Sequence, residues 1–92
     1  MFGYANLMKS DDELSKIIQK AKSEVQPGEK YRHYKGNLYT VLEIALIEAT
    51  LEPAVMYRAE YGAKLTFIRT VKEWSDQVTF KGKSTPRFSK TS

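Results

Sequence analysis

Residues Thr40 to Glu52 read TVLEIALIEATLE, and two periods fit them. Leu42, Ala45, Leu46 and Ala49 make a helical stripe, and Thr40-x-x-Glu43 has the form of a capping box. Leu42, Ile44 and Leu46 also share one face of a strand, with Val41, Ala45 and Ile47 on the other. A short apolar run is not resolved by its period alone, so the neighbours decide. Downstream, PAVMYRAEYG (Pro53 to Gly62) alternates, with Val55, Tyr57, Ala59 and Tyr61 opposite Met56, Arg58 and Glu60. Gly62-Ala63 then turns into KLTFIRT (Lys64 to Thr70), where Leu65 and Phe67 oppose Thr66 and Ile68. Upstream, KYRHYKGNLYTV (Lys30 to Val41) reads as a strand, a turn at Gly36-Asn37 and a second strand. In the first of these, Tyr31, His33 and Lys35 share one face, and Arg32 and Tyr34 the other. A strand over 39–48 completes a meander, and strand is the expectation.

The segments around the meander have clearer signals. Residues 1–9 read as an irregular arm with scattered apolar groups, Phe2, Tyr4, Leu7 and Met8. Ser10-Asp-Asp-Glu13 is a capping box, and its acids sit where a helix N-terminus favours negative charge. Leu14, Ile17, Ile18, Ala21 and Val25 form one apolar stripe, and Pro27-Gly28 stops the helix. Thr70-x-x-Glu73 resembles a second box opening a short helical turn, with Val71, Trp74 and Val78 inward. TPRF, Thr85 to Phe88, reads as a closing strand with Pro86 at its first position or on an edge. The expected fold is α+β, mainly β. An N-terminal amphipathic helix precedes a small five-stranded β-barrel of the Src-homology-three type, with a helical turn before the last strand. The parts are an arm and helix over 1–28, a barrel over 29–88 and a flexible basic tail over 89–92.

At 92 residues the chain is one domain and buries roughly two-thirds or less of its surface, which favours a shallow cleft or an interface over a deep pocket. It has no cysteine, which excludes disulfides, thiolate nucleophiles and cysteine-bound zinc. The first residues lack the basic start and apolar run of a signal peptide, and no stretch is long enough to span a bilayer, so a cytoplasmic protein is expected. The net charge of +4 invites a nucleic-acid reading, but cations and acids balance through residue 80. The excess is Lys81, Lys83, Arg87 and Lys90. A groove reader carries its charge on the folded face that meets phosphate. Nucleic acid is therefore not the favoured partner, although the tyrosines and basic tail keep a nucleic-acid or nucleotide binder as the alternative.

Several of these motifs, in order, resemble a short bacterial family, domain of unknown function 1653. The resemblance covers about residues 27–88 and rests on PGEKYRHYKGNLYTVLEIA, EATLEPAVMYRAEYG, FIR and TPRF. The family pattern has a Tyr-Arg-His-aromatic-Lys-Gly start, a Glu-x-x-Glu-x-x-Val-x-Tyr middle followed by Tyr-Gly, a Trp-Val-Arg-Pro strand and an Arg-Phe end. Here Phe67, Ile68 and Thr70 replace its tryptophan, valine and proline, and Ala54 stands where a larger residue is common. The resemblance implies no activity, because the family has none established. It marks Tyr31, Arg32, His33, Lys35, Gly36, Glu48, Glu52, Tyr57, Tyr61, Gly62, Arg69, Arg87 and Phe88 as matching positions.

The residue types then bound the chemistry. One histidine rules out a two-histidine metal triad, and His33 with Glu48 and Glu52 is the remaining set for a divalent ion or acid–base work. The serines lie in helical segments and the tail, which are poor places for a fixed nucleophile. Arg32, Arg69 and Arg87 with His33 suit a carboxylate or phosphate, unless Glu48 and Glu52 neutralise Arg32, Arg58 or Arg69. The expectation is a non-enzymatic module, without cofactor or metal, that binds a small anionic ligand or a protein in a polar cleft. Arg32, His33, Glu48, Glu52, Tyr57 and Arg69 would line that cleft. A small metal-dependent hydrolase is the second alternative. The apolar stripe of the helix suggests a homodimer through that helix, and no membrane partner is expected.

Overall fold

A computed structural model describes residues 9–91. The arm residues Phe2, Tyr4, Leu7 and Met8 lie outside the described residues. Helix α1 (Asp11–Glu24) begins as its capping box dictates: the Ser10 Oγ accepts from the Glu13 N–H at 3.2 Å, and Glu13 Oε1 accepts from the Ser10 N–H at 3.0 Å. Strands β1 (Lys30–His33), β2 (Leu38–Leu46), β3 (Pro53–Ala59) and β4 (Thr66–Thr70) follow, then the one-turn helix α2 (Val71–Trp74). A hairpin of β5 (Gln77–Phe80) and β6 (Lys83–Pro86) precedes the short last strand β7 (Phe88–Lys90). Among the described residues, no helix is long and apolar enough to cross a membrane.

The strand expected over 39–48 forms as β2 and ends at Leu46, after which the chain turns. The strict alternation expected of it does not hold. A bulge between Val41 and Glu43 inserts Leu42 against the register with β3 and reverses the parity of the strand. Tyr39 and Val41 therefore point to the same face as Ile44, and both Val41 and Ile44 are buried. That single extra residue breaks the period-two reading, which puts Val41 and Ile44 on opposite faces.

The expected closed barrel is not what forms. Five strands make an open antiparallel sheet in the order β4-β3-β2-β1-β7, and β5-β6 is a separate two-stranded ribbon. Closure would require β7 to reach β4, but β7 pairs only with β1, setting Phe88 opposite His33 and Lys90 opposite Tyr31. The sequence reading takes TPRF as one strand, yet Pro86 ends β6 opposite Gln77, and Phe88 starts β7 after a bend at Arg87. Ser89 and Lys90, read as tail, continue β7. Val78, assigned to the helical turn, lies in β5, because α2 stops at Trp74. The two-residue loop Lys81-Gly82 has positive φ at both positions, the backbone of a primed hairpin turn.

What closes the sheet instead is a cover on one face. Ala21 of α1 and its C-cap Val25 are buried, with α1 packed on β2 and β3, Ile18 packs beside them, and Leu14 and Ile17 are half-buried. Trp74 of α2 stacks flat on Phe88, with ring centroids 3.7 Å apart and planes 6° apart. Tyr57 and Tyr31 meet the indole edge-on at 4.9 and 5.1 Å. One side chain thus bridges β1, β3 and β7. Replacing it (Trp74→Ala) removes that bridge and leaves a cavity, and is expected to cost about 3–5 kcal/mol, read as a lower urea midpoint.

Candidate functional site

The covered face of the sheet runs out into a rim at the β1–β2 turn. The first strand was expected to run through Lys35, but β1 ends at His33. There the His33 N–H donates to Asn37 O at 2.9 Å, and the Gly36 N–H donates to His33 O at 2.7 Å. Gly36 has φ +113°, a conformation that excludes ordinary side chains. The turn takes Lys35 off the Tyr31–His33 face and brings its backbone N–H to His33 Nδ1 at 3.1 Å. Nδ1 is therefore an acceptor, and the proton of the neutral ring sits on Nε2.

Pairing in register places His33, Tyr39, Tyr57, Phe67, Arg69 and Phe88 on one face. The His33 ring stands 5.1 Å from Phe88 and 6.3 Å from Tyr39, both edge-on. Tyr57 contacts Tyr39 at 5.4 Å and Phe67 at 5.8 Å. The Tyr39 hydroxyl shares a 2.8 Å hydrogen bond with that of Tyr61. Burial, then that bond, pushes the Tyr39 phenol up to about 12. Arg69 Nε is buried with no hydrogen-bond partner among the described residues. Arg87 is anchored, its Nε donating to the Glu73 carbonyl at 3.0 Å. Burial holds the His33 imidazole below its ordinary value, and Lys35, Arg69 and Arg87 lower it further. Each charged group that shifts it is a cation.

The six residues expected to line one cleft do not all meet. His33, Tyr57 and Arg69 share the face just described. Arg32 points to the opposite face, where its guanidinium caps the Gly36 carbonyl at 2.8 Å, so it does not converge with Arg69. Glu48 and Glu52 follow β2 at the end of the strand remote from His33, and both are exposed. Glu52 borders a groove of about 480 Å³ beneath α1, along with Ile17, Lys20 and Lys72. The metal set of His33, Glu48 and Glu52 is thus not assembled, and among the described residues no three His, Asp or Glu side chains cluster. Nor do these glutamates neutralise the arginines: Arg58 pairs with Glu60 at 3.3 Å.

Glu60 is the acid that sequence reasoning missed. On the back face its carboxylate accepts from the buried Thr40 hydroxyl and lies 3.7 Å from Lys30 Nζ and 3.8 Å from Lys64 Nζ. The Thr40 bond, then Arg58 and Lys30, hold it below the usual carboxylate range against an opposing effect of burial. The signal was present in the alternation of Arg58 and Glu60, with Thr40 across the strand pair. One face therefore has an acid surrounded by cations, while the other has cations around an unpartnered Nε.

These features can be set beside known proteins. Residues 29–90 match DUF1653, a protein family of unknown function. The chain belongs to that family. A crystal structure of a DUF1653 protein from Bordetella bronchiseptica is similar at 35% identity and a TM-score of 0.63, covering 72% of this chain and 86% of that one. No curated protein matches the chain. The DUF1653 match begins at Glu29, so α1 lies outside it, while the whole sheet, α2 and both rim arginines lie within it.

The lowered His33 value has a sign. The unfolded imidazole takes its proton near 6.5 and the folded one only at lower pH, so the unfolded state binds more protons in between. Stability is then full above 6.5 and falls as pH drops through that interval. Urea unfolding across this range should show the loss, and His33→Gln should remove most of it.

Proposed function

We propose that this DUF1653 protein is a non-enzymatic binding module whose ligand is a small carboxylate or phosphate held at the Arg69–His33 rim. The observation that carries the reading is the buried Arg69 Nε with no acceptor. A buried donor without a partner costs about 1–3 kcal/mol, and an oxyanion supplies the missing acceptor. Guanidinium also offers two parallel N–H groups that match a carboxylate or phosphate edge. His33 Nε2–H adds a donor nearby, and Tyr39, Tyr57 and Phe67 give the apolar wall. Nucleic-acid binding through the basic tail draws less support. Lys90 is paired with Glu29 at 2.6 Å, and Arg87 is held by the Glu73 carbonyl.

Titration with inorganic phosphate, and separately with acetate, followed by the His33 ring resonances tests this. A saturable shift with at least one of them is expected, and binding should strengthen as pH falls below 6.5 because an adjacent anion favours the charged ring. Arg69→Gln should weaken binding by about tenfold or more, and Arg32→Gln, on the back face, should leave it unchanged. No saturable shift with either anion, or equal loss in both variants, would overturn the reading.

A further inference from the structure

The large hydrophobic side chains that stand exposed among the described residues are Tyr61, Leu65, Phe67 and Ile68, at 43%, 60%, 40% and 63%. All four belong to β4 or to the turn that leads into it. Among the described residues β4 is also an end of the sheet, bonded to β3 on one side. The Leu65 carbonyl accepts from Ala59 N–H, so Leu65, Phe67 and Arg69 turn their backbone polar groups toward β3, and Thr66 and Ile68 turn theirs outward.

Sheet edges are normally protected by shortness, lysine, proline or a bulge. The opposite edge has such protection, since β7 is three residues long and contains Lys90. β4 has less of it: five regularly paired residues, TFIRT, with no lysine, proline or register shift, and a single charge, Arg69, on the front face.

We propose that β4 is the interface between two copies of this chain, paired antiparallel about a two-fold axis at Ile68. The strand is self-complementary in that register. Ile68 meets its own copy, Thr66 falls opposite Thr70, and Phe67 falls opposite Arg69. On the back face, Met56 and Ile68 of the two copies join into one apolar strip, because Met56 is the cross-strand neighbour of Ile68. On the front face, Phe67 and Arg69 form a non-hydrogen-bonded pair, the kind in which side chains come closest, so the guanidinium lies on the aromatic ring. No like charges face each other. The outward backbone groups of Ile68 bond to those of the second Ile68, and a two-fold contact closes at two copies. Stacking leaves the in-plane N–H groups of Arg69 open, so this contact does not rest on the anion reading and does not oppose it. It also places self-association on β4, while the buried residues of α1 pack on their own sheet.

Sedimentation equilibrium of the full chain, without added phosphate, should give twice the 10.6 kDa chain mass. Ile68→Lys sits on a side chain 63% exposed, so the fold should survive, with an unchanged circular dichroism spectrum and a monomer mass. The chain has no cysteine of its own. A short thiol-to-thiol reagent should therefore link two copies of Ile68→Cys, and should leave Thr66→Cys, out of register with itself, unlinked. A wild-type monomer at every concentration, a dimer that persists in Ile68→Lys, or equal linking of both cysteine variants would each overturn the proposal.

Discussion

The stack of Trp74 on Phe88 is the contact on which the rest of this small fold depends. α2 has a single turn and β7 three residues, and neither length is stable alone. Each is held because the indole and the phenyl ring lie flat on one another while Tyr31 and Tyr57 close the sides. The stack fixes where β7 lies, and so which strand borders β1. It also fixes where Arg87 begins its bend, and so which cations reach His33. The sheet stays open because its core is filled by this plug and by α1, and not by the meeting of its two edges.

The same arrangement divides the polar groups between two faces. On the back, Glu60 collects Lys30, Arg58 and Lys64, and the buried Thr40 is satisfied through it. On the front, the face is built from aromatic residues and, among the described residues, no acidic side chain bonds the cations at their margin. Arg87 bonds a backbone carbonyl instead. The polar network is thus satisfied on the back face, while on the front Arg69 Nε is left without a partner among the described residues.

Much of this was legible in the sequence where the signal is local. The Ser10–Glu13 box, the α1 stripe, the turn at Gly36 and the meander of β1 to β4 are set by neighbours a few residues apart, and the family motifs lie along that meander. What was not legible depends on pairing between distant residues. The Leu42 bulge can be seen only once β2 is laid against β3, and it alone decides that Val41 and Ile44 share a face. Arg32 and His33 alternate, which already placed them on opposite faces. Their convergence was expected because the strands carrying Arg32 and Arg69 could approach one another in a meander, with His33 beside them. The Lys81-Gly82 hairpin was readable from a two-residue turn flanked by QVTF and KSTP, but the capping box at Thr70 drew the helix too far.

The ribbon of β5 and β6 enters and leaves the body at nearly one point. The Arg87 N–H donates to the Asp76 carbonyl at 3.0 Å, and the Arg87 carbonyl accepts from Tyr34 N–H at 3.0 Å. Everything between is a detour closed at its neck. Beyond the neck the ribbon meets the body again where Phe80 packs edge-on against Tyr34 at 5.2 Å, so a foreign segment grafted at the Lys81-Gly82 tip leaves that contact and the neck in place.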